Sequence, residues 1–244
     1  MSEPRARLEA LGFAAADAEV LAAHFLDAEA RGRESHGLMR IDWLATLPDL
    51  DPEARPRRDL AEPGFERWDG NGALGYLVLE AIVLAQLDDP PARPRVIVAR
   101  SCFPTGHLGY WTRRLAEAGL VAALTASSPP RLPHPDGGEP LIGTIPLSIA
   151  IPSSDGRPLV SDVSMAKATY GDVLAGRATE ADLVPFGGEQ AHKAFALGLG
   201  LQLLVEALTG LEGYGAVLLV ARPEADPVPQ LRRRAPGTRF PGDR

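Results

Sequence analysis

The sequence predicts an α/β fold. Short runs of aliphatic and β-branched residues alternate with longer stretches of helical periodicity. Gly and Pro clusters punctuate the boundaries between them. Apolar residues make up 45% and charged residues 23% of 244 residues. That composition can bury the core of one large domain or two small ones. No Gly-x-Gly-x-x-Gly follows a strand, so the usual dinucleotide fingerprint is absent.

A first short helix carries Leu8 and Leu11 and stops at Gly12. A second runs over residues 15–30, where Val20, Leu21, Phe25 and Leu26 suit one packed face. His24 lies within it and reads as a structural histidine. Residues 48–64 hold four prolines among charges and read as a loop or edge crossing. Residues 68–72 read as a tight turn after a short strand, and residues 73–87 as a helix. Val96-Ile97-Val98 marks a strand. After the turn around His107, residues 110–118 form an amphipathic helix and residues 120–125 a buried strand. Residues 127–138 read as a Pro- and Gly-rich loop. Residues 147–151 and 159–163 are strands joined through Asp155-Gly156. A helical stretch is expected within residues 164–176. Residues 193–209 make an apolar helix whose Gly198 and Gly200 suggest close packing. Residues 216–221 are a last strand, and the Pro- and Arg-rich tail from Pro223 is of doubtful order.

The totals narrow the function. The formal net charge is −7 with scattered Lys and Arg, against the basic patch that nucleic-acid binding needs. No apolar run is expected to reach the ~18 residues of a membrane span. The first residues lack signal-peptide features. Cys102 is the only cysteine, which leaves no internal disulfide and makes a cytoplasmic location the default. It reads as a small buried residue. No Cys/His set has zinc spacing, so no metal is expected.

Ser35, His36 and Arg40 sit close in sequence at a helix end. On a helix, residues four apart share a face, so His36 and Arg40 would project together. A guanidinium matches a carboxylate and an imidazole exchanges protons. The same residues would equally satisfy the free carbonyls of a helix end. His107 follows a strand between Gly106 and Gly109, where glycines let a substrate or cofactor approach, and is an acid/base candidate. A loop histidine bonded to a carbonyl fits the same position equally well. Ser128 and Thr144 could offer hydroxyls or serve turns. Asp162 could bind a hydroxyl or cap a helix. Gly187-Gly188 and Lys193 open the apolar helix, a setting suited to anions, although a solvated Lys is the commoner finding.

Taken in order, these stretches resemble the type-2 malate/L-lactate dehydrogenase family. The likeness rests on Glu34-Ser35-His36-Gly37 with Arg40, Gly106-His107-Leu108-Gly109, Ser128-Pro129, Gly137-Gly138 and Gly143-Thr144-Ile145-Pro146. It continues through Asp162-Val163-Ser164-Met165-Ala166, Gly171, Gly187-Gly188 and His192-Lys193. The resemblance implies a non-Rossmann mixed sheet with packed helices, reduced in size here. It also implies a homodimer and NADH or NADPH as cofactor. By this likeness His107 is the acid/base, with His36 and Ser35 beside it. Arg40, Ser128 and Thr144 bind substrate, and Asp162, Val163, Ser164, Met165, Ala166 and Lys193 form the cofactor region. The chain departs from the family in its shorter length, in Ile145 for Asn, and in Ala194-Phe195 for Gly-Tyr.

The expected organisation is a helical segment over 1–47 carrying Ser-His-Gly, an α/β core over 48–222 and a tail over 223–244. The expected activity is hydride transfer between NAD(P)H and a small 2-oxo/2-hydroxy acid or cyclic imino acid. The alternatives are a cofactor-independent lyase, isomerase or cyclase using the same His/Arg site, and a non-catalytic binding protein.

Overall fold

The computed structural model describes residues 2–243. Helices α1 (Ser2–Ala10) and α2 (Ala15–Ala30) pack as a pair, and α3 (Met39–Leu44) follows a 3-10 turn at Glu34–His36. Strands β1 (Arg57–Glu62) and β2 (Phe65–Asp69) lead into α4 (Gly75–Asp88), β3 (Arg95–Arg100), α5 (Leu108–Glu117) and β4 (Val121–Ala126). A small hairpin, β5 (Leu132–His134) with β6 (Gly137–Ile142), precedes β7 (Pro146–Ile151) and β8 (Leu159–Ser164). Then come α6 (Tyr170–Leu174), α7 (Ala191–Thr209), β9 (Ala216–Ala221) and α8 (Val228–Arg234).

Seven strands form one sheet in the order β1-β2-β3-β9-β4-β7-β8. Only β2 with β3 is parallel; the other pairs are antiparallel. Side-chain alternation decides which helices cover which face. Ile97, Ala99, Leu124 and Leu218 point into the main core with α2, α4 and α5, including Leu21, Phe25, Leu79 and Trp111. Val96, Val98 and Val217, one residue out of phase, meet Val205 of α7 on the other face. Asp162 pairs with Ser148, and Ser148 is buried and hydrogen-bonded to Thr112 of α5 at 2.7 Å. That register places Asp162 on the face that carries α5.

Several elements differ from the sequence expectation. Residues 48–64 contain β1, an edge strand whose charged, mostly exposed side chains hide its pattern. Residues 127–138 contain β5 and the start of β6, a hairpin rich in Pro and Gly. The helix within residues 164–176 shrinks to α6, because β8 extends to Ser164 and Thr169 begins the helix with a capping box to Asp172. Gly198 does meet a neighbour, with Ile142 Cδ1 3.0 Å from a Cβ built there, whereas Gly200 faces open space. The stretch Gly188–Thr209 is apolar and long enough to cross a membrane by length and composition, so the expectation that none reaches that length does not hold. It lies against β3, β4 and β9.

The tail is not structureless. Arg232 of α8 reaches Asp155 at 2.7 Å and Asp243 at 2.8 Å. Pro241 then accepts a hydrogen bond from Val160 N–H, on the outer edge of β8, at 3.0 Å. Cys102 is fully buried, and burial pushes its thiol up to about 12, which leaves it protonated and unreactive.

Candidate active site

A cavity of about 140 Å³ opens where the N-terminal segment, the start of α5 and the ends of β4 and β8 converge. Arg40, His36, His107, Ser128 and Thr144 line it, as expected from the sequence, together with Asp162, Val163 and Ser164. Ser35, Met165, Ala166 and Lys193 are not among its walls. Met165 is buried in a separate apolar cluster, and Lys193 is exposed on the first turn of α7.

The Ser-His-Gly turn is folded back onto α2. Glu29 Oε1 accepts a hydrogen bond from Leu38 N–H at 2.8 Å, and a Cβ on Gly37 would lie 1.9 Å from that oxygen. Only glycine lets the carboxylate in. Arg40 then sits in α3 and His36 in the preceding 3-10 turn, so they share a cavity but not a helical face. Ser35 acts through its backbone: its carbonyl accepts from Arg40 Nε at 2.8 Å. The capping alternative is thus half right. Gly171 backs the same corner, where a Cβ would stand 2.2 Å from Ser35 O and 2.7 Å from Arg40 Nη2.

Arg40 is buried, with its guanidinium 4.9 Å from the Trp43 ring centroid. Among the described residues no carboxylate lies within ion-pair distance of it. A buried unpaired cation is costly, and an anion entering the cavity relieves it. Arg131, which sequence reasoning missed, lines the same cavity with its guanidinium 3.3 Å over the Tyr170 ring. Its polar loop gave no periodic signal.

His107 occupies the position before the first turn of α5 and is 3% exposed. Its N–H donates to His24 Nε2 at 3.2 Å, and the two rings lie 4.7 Å apart. The glycines around it make room for protein side chains. A Cβ on Gly106 would be 2.2 Å from His24 Nε2, and one on Gly109 2.9 Å from Asp162 Oδ2. His24 is fully buried and packs beside the His107 ring. Its spacing with Leu21, Phe25 and Ala28 on the buried stripe of α2 was the available clue.

Electrostatics separate the three histidines. Burial drives His36 down to about 3, helped by Arg40 and His107. Burial, with His107 and His36, also drives His24 far below its ordinary value. Burial therefore favours the neutral form of both rings. Of the three, His107 is the one with carboxylates at ion-pair distance: Asp27 Oδ2 at 3.4 Å from Nε2 and Asp162 Oδ2 at 3.8 Å from Nδ1. Burial opposes the charge of Asp162, but His107 and Arg33 outweigh it and hold the carboxyl below its usual range. Ser128 lines the cavity, and its buried Oγ, packed at Gly143, has no hydrogen-bond partner among the described residues. Ser127 instead accepts from Gly215 N–H at 2.9 Å and serves the turn.

A second cleft of about 410 Å³ shares the Arg33 and Asp162 walls. Arg31, Arg113 and Arg239 add three more guanidiniums to it.

Residues 4–182 match the family model described as malate/L-lactate dehydrogenase. The chain is 31% identical to the (2R)-3-sulfolactate dehydrogenase (NADP(+)) of Chromohalobacter salexigens, over 85% of this chain and 69% of that protein. It is 30% identical to the Delta(1)-pyrroline-2-carboxylate/Delta(1)-piperideine-2-carboxylate reductase of Pseudomonas putida, over 82% of this chain and 66% of the relative. The chain spans about two thirds of the length of such relatives. Among solved structures, a dehydrogenase from Sinorhizobium meliloti superposes with a TM-score of 0.83 at 26% identity, covering 98% of this chain and 86% of that one.

Proposed function

The chain belongs to the malate/L-lactate dehydrogenase family, and from that membership we propose an NAD(P)-dependent oxidoreductase acting on a small 2-oxo/2-hydroxy acid or cyclic imino acid. The observation that carries this reading is the buried, unpaired Arg40 in one cavity with His107. A guanidinium there holds a carboxylate, and a histidine there moves a proton to or from the neighbouring oxygen or nitrogen. The cavity volume suits a small acid. Ser128 belongs to the same wall.

The residues present fit NADH or NADPH. Asp162, Val163 and Ser164 wall the reacting cavity, and the arginine-rich cleft beside it suits an anionic cofactor. When bound, the nicotinamide supplies or accepts the hydride. Arg40 and Arg131 orient the substrate carboxylate, and His107 exchanges the proton. A cofactor-independent lyase, isomerase or cyclase is not favoured, since the relatives are named as a dehydrogenase and a reductase.

Titration of the purified chain with NADH and with NADPH, followed by fluorescence or calorimetry, tests the proposal. Saturable micromolar binding of at least one is expected. No binding of either at millimolar concentration would overturn it.

The reading includes a homodimer. Leu197, Leu203, Leu204 and Leu208 of α7 are exposed, as are Ile149, Val163 and Leu219 of the sheet. Side chains of this kind mark association surfaces when they are contiguous. Light scattering is expected to return twice the chain mass; a monomer at all concentrations would exclude the dimer.

A further inference from the structure

Asp27 lies on α2, outside the cavity walls, and the reaction outlined above makes no use of it. Its carboxylate is nevertheless firmly held. Arg31 Nε donates to its two oxygens at 3.0 and 2.9 Å, and Arg113 Nη1 reaches Oδ2 at 3.1 Å. The same Oδ2 lies 3.4 Å from His107 Nε2. The other ring nitrogen, Nδ1, faces Asp162, which does line the cavity. His107 thus has one ring edge against Asp27 and the other against a carboxylate of the cavity wall. We propose that Asp27 is a positioning residue that retains the Nε2 proton of His107, so that Nδ1 is the nitrogen that exchanges a proton with substrate.

The surroundings leave this role to Asp27. His24, His36, Tyr110, Arg113 and the two aspartates are the titratable and charged groups around the ring. Burial keeps His24 and His36 neutral and raises Tyr110, so its phenol keeps its proton. Burial opposes the charge of Asp27, but His107, Arg113 and Arg31 outweigh it, so Asp27 remains ionised. His107 N–H, bonded to His24, fixes the backbone at this position. A carboxylate behind an imidazole selects its tautomer and stabilises the cationic form.

The inference rests on the oxidoreductase reading for its catalytic meaning. In the reducing direction the Nδ1–H bond of His107 breaks. A new O–H or N–H bond forms on the substrate as its carbon receives the hydride of NAD(P)H. His107 is left neutral with its proton on Nε2, Asp27 stays ionised, and solvent returns the lost proton.

Two measurements test it on the full chain. Nitrogen-15 NMR of the wild-type histidines, without cofactor, should show His107 neutral as the Nε2–H tautomer; a dominant Nδ1–H tautomer would overturn the assignment. In Asp27→Asn the His107 titration should move to lower pH by about one unit, because an opposite charge at ion-pair distance is removed. An unmoved titration would also overturn it. In turnover, Asp27→Asn should lower kcat on the order of tenfold to hundredfold, with KM within about twofold. The alkaline limb of its pH profile should shift the same way, and Asp27→Glu should recover part of the rate. A KM rise with an unmoved pH profile would mean a merely structural role. If NMR shows the coupling but the wild type turns over no nicotinamide, the activity reading fails and the positioning role stands.

Discussion

His107→Ala is expected to lower the turnover number of the proposed oxidoreductase reaction by on the order of a hundredfold to ten-thousandfold. Its affinity for NADH or NADPH should stay within a few fold. The first effect follows from the loss of the cavity histidine that two carboxylates flank, Asp27 and Asp162. The second follows from location, because the arginine-rich cleft, walled by Arg33 and Arg239, is untouched. The ring packs against His24 and Tyr110, so His107→Gln is the companion variant that keeps more of the volume. Steady-state kinetics with a 2-oxo acid or cyclic imine, alongside cofactor titration, checks both. Turnover of wild-type magnitude in either variant would remove His107 from the mechanism.

Gly106→Ala is expected to destabilise the fold by on the order of 3 kcal/mol, a melting-temperature loss of roughly 6–12 °C for a chain of this size. Two costs combine. Gly106 has φ +68°, a left-handed backbone that an L side chain adopts only with strain. The new methyl would also stand 2.2 Å from His24 Nε2 and 2.4 Å from Tyr76 Cε1. Both rings are buried in the main core and cannot swing aside. The backbone that carries His107 would have to move, so turnover should fall with stability. Thermal unfolding followed by circular dichroism checks this; a melting point within about 2 °C of wild type would contradict the packing account.

Much of the fold is legible in the sequence because its core strands carry unbroken apolar runs. Val96-Ile97-Val98, Leu124 and Leu218 announce themselves by side chain alone. β1 does not, since Arg57-Arg58-Asp59 offers an exposed edge no apolar face to display. The β5–β6 hairpin is hidden for a related reason: apart from Leu132 and Ile142, few of its residues are buried.

For the site, order along the chain located Arg40, His36, His107, Ser128 and Thr144, which the structure gathers around one cavity. Asp27, Arg131 and Glu29 escaped notice because their meaning lies in contacts between distant segments. Asp27 meets Arg113 across a separation of 86 residues, and nothing local to α2 marks it. Lys193, whose place after two glycines at a helix start suits an anion, is exposed and stands outside the cavity.

The hydrogen bond from Val160 to Pro241 has a practical consequence for anyone handling the molecule. β8 is the last strand of its sheet, and a bare last strand is a template for unwanted pairing between copies. Here residues near position 241 already occupy that margin, with Arg232, Asp155 and Asp243 as the clasp. Trimming the chain after β9 to obtain a tidier fragment would strip this cover and invite aggregation. A purification tag is better placed away from that clasp.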